Sequence, residues 1–431
     1  MRTEQPSTFN KAARSSRLSV MTFLNEVADD YPEAISLASG RPAPEFFDID
    51  GWPDARDRFE RHVRAQSGAT FSAAARKIAQ YGRTAGIIND LVAGQLRQDE
   101  QLHCDGSRIV ITNGCQEALA LCIQALCSEP GDALLVRNPT YIGATGAAEV
   151  AGVEVVAIDE QRGSWTAGVD AAVHAAGGAG RRIRAFYLIP QFDNPTGGVL
   201  TETERVEILE ACARHGVVVL EDNPYGMFRF DGPPLRPMAA LDQHGGVIYL
   251  ATYSKTLCPA VRVGCAVLPA TLFGDAAGAR ALTAELVERK SLLTVNTSQF
   301  NQALVGGVLL AEEGSLERLV EAPRRHYARN RDALLDALAR EFADYEGLIT
   351  WNRPAGGFFL TLGLPFAFGA AELVRCAAEY GVAVMPMSFF ALDDAHRCQV
   401  RLAYSNVTPD EIQRAVAAFG RSVLGQMTEL A

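Results

Sequence analysis

The stretch RIVITNGCQEALALCIQALCSEPGDALLVRNPTY, residues 108–141, sets the architecture of the chain. It opens on a β-branched run, Arg108–Thr112, turns on Asn113-Gly114 and enters a helical pattern over Gln116–Cys127. A second short apolar run, Ala133–Val136, follows. Strand, helical crossover and strand recur outward from here. Val153–Ala157, Ala185–Ile189, Val217–Leu220 and Val247–Ala251 read as further strands, with helices such as Thr203–His215 between some of them. Strands joined by helical crossovers imply a mostly parallel sheet buried on both faces, an α/β fold. The Gly/Ala-rich patch Ala175–Gly180 reads as a loop. Beyond about residue 300 the pattern changes: a long helix, Glu317 to Phe342, precedes short apolar runs at Gly357–Leu362, Val382–Met385 and Cys398–Ala403, then a last helix from Pro409. That pattern predicts a smaller α+β domain.

A chain of 431 residues suits two domains rather than one core. With 40 basic against 51 acidic residues the net charge is −11, which argues against nucleic acid or an anionic membrane as the main partner. The nine cysteines show no Cys-x-x-Cys pair and the seven histidines no His-x-x-x-His spacing, so neither a disulfide framework nor a metal centre is expected. The polar start, MRTEQPSTFNKAARSS, has no apolar run of signal-peptide length, and no stretch reads as a membrane span. The expectation is a soluble cytoplasmic protein.

In open α/β sheets, ligands sit beyond the carboxyl ends of the strands. The residues there are unusual. After Val247–Ala251 comes Thr252-Tyr253-Ser254-Lys255-Thr256-Leu257-Cys258-Pro259-Ala260-Val261-Arg262-Val263-Gly264. A lysine between small hydroxyl residues, with an arginine seven positions on, suits an amine that condenses with an aldehyde beside a held phosphate. Alone, such a lysine would be an ordinary surface residue. Asn113-Gly114-Cys115-Gln116 joins a strand to a helix, where free N–H groups favour an anion and glycine permits close approach. Asn194-Pro195-Thr196-Gly197 and Asp222-Asn223-Pro224-Tyr225 follow two more strands; a turn and a helix cap are their simplest readings.

Taken in order from about Ile35 to Phe419, these motifs resemble the fold-type I pyridoxal-phosphate enzymes, specifically the class I/II aminotransferases in the branch of aminoadipate, kynurenine and aromatic aminotransferases. The resemblance implies a three-layer α/β/α cofactor domain over residues 50–310 with a mainly seven-stranded sheet. It also implies a small domain at 311–431, and an N-terminal segment, 1–49, that joins the small domain and the dimer contact. Lys255 becomes the lysine that bonds to the cofactor aldehyde and then moves the Cα proton. Asp222 pairs with the pyridine nitrogen, while Asn194 and Tyr225 face the phenolic oxygen. Tyr141 stacks on the ring. Thr252, Ser254, Arg262, Gly114, Cys115 and Gln116 hold the phosphate, and Tyr81 reaches the phosphate of the neighbouring subunit. Arg401, with Gly40 allowing close backbone approach, clamps the α-carboxylate; Ser298 is a looser candidate for a residue crossing the interface.

The implied function is transamination between an L-amino acid and a 2-oxo acid in a homodimer with shared active sites. Four positions depart from the family pattern: Ala251, Cys258, Arg83 and Met387. The last two are candidates for the surroundings of the substrate side chain, Arg83 equally readable as a solvated arginine, which leaves room for a specialised enzyme such as an arylglycine aminotransferase. The same constellation also supports elimination or replacement, cyclisation and oxidase-type chemistry. An aminotransferase-like transcription regulator is the alternative of another class, disfavoured by the charge and by the roughly 35 residues that precede the resemblance.

Overall fold

The computed structural model describes Val20, Phe23, Glu26, Val27 and residues 29–68, 70–160 and 163–430. Of the N-terminal stretch 1–49 expected to join the small domain and the dimer contact, residues 1–19, 21, 22, 24, 25 and 28 lie outside them. Seven strands form the main sheet: β1 (Ile109–Thr112), β2 (Asp132–Val136), β3 (Glu154–Ala157), β4 (Arg182–Leu188), β5 (Val218–Asp222), β6 (Val247–Thr252) and β7 (Gly264–Val267). Their spatial order is β1-β7-β6-β5-β4-β2-β3. All run parallel except β7, which lies antiparallel between β1 and β6. Every residue of β1, β2, β5 and β7 is buried, because helices cover both faces; hence the near-continuous apolar runs rather than alternation. Ile109 and Ile111 enter a core with Phe59 and Val92, while Val110 between them faces a second core with Leu119 and Leu134.

The antiparallel β7 carries no separate sequence signal, since Gly264–Val267 reads as the tail of the lysine loop. The patch Ala175–Gly180 also departs from expectation. A helix spans Trp165–Gly178, started by the Ser164 cap, and its alanines favour helix while Gly177 and Gly178 fall only at its end.

A second, antiparallel sheet holds β8 (Thr350–Trp351), β9 (Phe359–Gly363), β10 (Met385–Pro386) and β11 (Gln399–Ala403) in the order β10-β11-β9-β8. The helices Glu317–Glu341 and Pro409–Leu430 pack together in the same region. Ile35–Ser36 pairs in parallel with Val382–Ala383, and Ala403 N–H donates to the Leu37 carbonyl at 2.6 Å. This stitching carries the following residues, Ala38–Arg41, to the gap between the two sheets. No helix of the described residues is long and apolar enough to cross a membrane.

Candidate active site

A cavity of about 540 Å³ opens beyond the carboxyl ends of β4, β5 and β6 and is roofed by the second sheet. One end is built for an anion. Gly114, at φ +77°, precedes the helix Cys115–Leu126 without a side-chain cap, so first-turn N–H groups remain available. A Cβ at Gly114 would come within 2.3 Å of Arg262 Nη2. Arg262 itself sits in the left-handed region at φ +45°, donates from Nη1 to Ser254 Oγ at 3.1 Å and from Nη2 to the Asn113 carbonyl at 3.3 Å. The Ser254 N–H donates to Thr252 Oγ1 at 3.2 Å, which folds both hydroxyl residues into the same turn. Gln116 donates to the Gly143 carbonyl at 2.8 Å and accepts from the Tyr141 hydroxyl at 3.4 Å. That fixes the Tyr141 ring against the cavity wall.

Asp222 lies at the end of β5, buried, with both oxygens occupied. Oδ2 accepts from the Tyr187 hydroxyl at 2.8 Å and Oδ1 from Cys115 Sγ at 3.2 Å. Burial pushes its carboxyl up to about 6, against the pull of these donors and of Lys255. The Lys255 amine faces the open cavity, ringed elsewhere by protein, and donates to the Gly40 carbonyl at 2.9 Å. Burial, then the nearby Arg401 and Arg262 guanidinium groups, push its pKa down to about 8. A lysine so placed is partly neutral near physiological pH, as a nucleophile or base requires.

Arg401, on β11, reaches the cavity from the second sheet. Its guanidinium lies between the rings of Phe359 and Phe390, 4.1 and 4.8 Å from their centroids. Nη1 donates to Asn194 Oδ1 at 2.6 Å and Nη2 to the Ala38 carbonyl, whereas buried Nε has no partner. With Oδ1 engaged, the Asn194 amide nitrogen is left to donate, and Asn194 is also hydrogen-bonded to Tyr225. The Tyr225 ring meets Phe359 edge-on at 5.6 Å. Gly40 is required where it stands: a Cβ there would meet the Phe359 ring at 2.2 Å.

The cavity thus gathers Lys255, Asp222, Tyr225, Asn194, Tyr141, Cys115, Gln116, Thr252, Ser254, Arg262, Arg401 and Gly40, with Gly114 at its anion end. Tyr81 does not join them; it is 79% exposed on the chain's surface. Ser298 caps the helix Gln299–Ala311 by accepting from Asn301 N–H. Within the single chain Arg83 is exposed and lines a separate cleft with Phe59 and His62. One expectation is corrected: Met387 is wholly buried outside the cavity wall, while Met385, two residues earlier, lines it. Sequence reading missed Tyr187, Phe359, Phe390 and the Ala38 carbonyl. The Tyr187 hydroxyl, near the end of an apolar strand, was a usable signal; the others depend on how the two sheets meet.

These residues fit pyridoxal 5′-phosphate. An anion cradle that a Cβ at Gly114 would fill stands at one end, a buried carboxylate at the other, and a lysine of lowered pKa lies in the same cavity. The unpartnered Arg401 Nε is a donor suited to a ligand carboxylate.

The family model for aminotransferase class I and II matches residues 51–419. The (S)-3,5-dihydroxyphenylglycine transaminase of Amycolatopsis orientalis is 35% identical over 95% of this chain and 92% of its own length. The 2-aminoadipate transaminase of Thermus thermophilus is 32% identical over 91% of each chain. Among solved structures, the kynurenine aminotransferase of Pyrococcus horikoshii superposes with a TM-score of 0.80 at 27% identity, covering 97% of this chain and 98% of that one. The chain is an aminotransferase and belongs to the class I and II aminotransferase family.

Proposed function

We propose that this aminotransferase moves an amino group from an arylglycine-type L-amino acid to a 2-oxo acid, with pyridoxal 5′-phosphate as cofactor. The observation that carries the reading is Lys255, its amine 2.9 Å from the Gly40 carbonyl and its pKa lowered to about 8 beside two arginines. When bound, the cofactor supplies an aldehyde carbon and an electron-withdrawing ring. Lys255 Nζ would hold that aldehyde and, as a free amine, would carry the proton that leaves substrate Cα. Asp222 keeps a proton on the ring nitrogen, held in place by Tyr187 and Cys115. Asn194 and Tyr225 donate to the phenolic oxygen, Tyr141 covers the ring, and Gly114, Cys115, Gln116, Thr252, Ser254 and Arg262 hold the phosphate. Arg401 forks onto the α-carboxylate, with Gly40 keeping the backbone close.

Two observations support an aryl side chain. Leu119, Ile142, Leu373, Met385 and Phe389 line the cavity with apolar surface, and Asp222 is the one carboxylate among its described lining residues, which disfavours a basic side chain. The Amycolatopsis relative is named for an arylglycine. A homodimer with shared sites is supported by the exposed Tyr81 ring and by Leu292, 88% exposed. The pairing of Ile35–Ser36 with Val382–Ala383 supports assigning segment 1–49 to a small domain with residues 311–431, beside a large domain at 50–310. Nine free cysteines suit a cytoplasmic setting. The test is a single turnover of holoenzyme with phenylglycine, 3,5-dihydroxyphenylglycine, aspartate or 2-aminoadipate. One equivalent of aryl 2-oxo acid without ammonia is expected; ammonia release, or faster turnover of either diacid, refutes the reading.

A further inference from the structure

Behind the anion end of the cavity lies a charged cluster that none of the roles above uses. Lys290 is 0% exposed, and its amine donates to Glu117 Oε2 at 2.8 Å and to Thr294 Oγ1 at 2.9 Å. The Thr294 hydroxyl in turn donates to Glu117 Oε1 at 2.7 Å. Glu117 accepts from the Asn113 backbone N–H at 2.6 Å and from the Asn113 amide at 3.2 Å. The carbonyl of the same Asn113 receives Arg262. Glu117 therefore holds the turn that leads into the helix Cys115–Leu126, but it does so as an anion two residues into that helix, next to where another anion is to bind. Left unpaired, it would repel that ligand.

We propose that Lys290 is a positioning residue for the anion end of the site: it neutralises Glu117, so that Glu117 can fix the Asn113 turn and Arg262 without repelling a phosphate monoester. A buried lysine loses its hydration, so the ion pair itself is weak evidence for stability, and electrostatic compensation gives it a reason to be there. The inference rests on the reading that Asn113–Cys115 and Arg262 receive the cofactor phosphate.

The experiment strips cofactor from purified holoenzyme and measures the dissociation constants of pyridoxal 5′-phosphate, by its absorbance, and of inorganic phosphate, by competition. Lys290→Met is expected to weaken both at least about tenfold, since an unpaired carboxylate held to the Asn113 turn repels a bound phosphate. Glu117→Gln is expected to bind both no more weakly than the native chain. Lys290→Met/Glu117→Gln is expected within about twofold of it. A purely packing role would weaken all three variants alike, and that pattern, or an unchanged Lys290→Met, overturns the inference. Should Lys290→Met fail to fold, the double variant decides: native-like affinity supports the proposal, and a tenfold loss overturns it. A native chain that binds no pyridoxal 5′-phosphate sinks the functional reading itself, whereas native binding with unresponsive variants sinks only this inference.

Discussion

Replacing Arg401 by lysine keeps the charge and removes the fork. In the native chain the guanidinium is fixed by Asn194 Oδ1, the Ala38 carbonyl and the two phenyl rings, leaving Nε and the outer edge for a carboxylate. A lysine amine can reach the cavity but offers one directed contact where the fork offers two. The loss is one hydrogen bond to a charged group, about 1.5–3 kcal/mol. That lowers kcat/KM for an amino acid by about 10- to 160-fold. Stopped-flow half-reactions with an L-amino acid, and in parallel with the matching amine that lacks the α-carboxylate, measure it. The amino acid should suffer the full loss and the amine almost none. An equal loss for both would refute a carboxylate clamp and make Arg401 a structural residue.

Other outcomes follow from the same geometry. The rate at which cofactor-free enzyme condenses with pyridoxal 5′-phosphate should rise with pH about a midpoint near 8, where Lys255 loses its proton; a midpoint near 10.5 would mean that the amine is not desolvated. Burial pushes Glu100 and Glu221 up to about 7 and Asp222 up to about 6, so between about pH 4.5 and 7 the folded state binds more protons than the unfolded one. Unfolding free energy must then fall as pH rises through that window, and cofactor-free protein should melt higher at pH 6 than at 7.5; the lowered His326 and, towards pH 7.5, Lys255 oppose this only in part. Scanning calorimetry at the two pH values checks the sign. Tyr187→Phe, which removes the 2.8 Å bond to Asp222, should lower kcat by about tenfold with little change in amino-acid KM. A rise in KM alone would contradict its placement.

The parts of the site legible in sequence are those that local chain geometry dictates. Lys255, Asp222 and Asn194 follow apolar strands, and Gly114 stands where a strand meets a helix, so strand ends mark them as candidates, while their roles came from the resemblance. Arg401 was legible only through resemblance. Its sandwich of Phe359 and Phe390 was not legible at all, because it depends on register: β9 and β11 pair Thr361 with Arg401, which fixes what surrounds the guanidinium. Register explains Met387 as well. The chain leaves β10 after Pro386 in a tight turn, so Met385 faces the cavity and Met387 packs into the core. Arg83 follows Tyr81 closely in sequence, yet it lines another cleft, since proximity along a loop does not decide which cavity a side chain enters. The antiparallel β7 escaped notice for a related reason: four buried residues after a loop carry no periodicity of their own.

The proposed chemistry depends on a covalent bond at one nitrogen, Lys255 Nζ. Purified protein incubated with pyridoxal 5′-phosphate, reduced with borohydride and digested should carry the phosphopyridoxyl mass on the peptide containing Lys255 and no other, and Lys255→Ala should carry none. Label on a different lysine, or an unlabelled native chain, would contradict it.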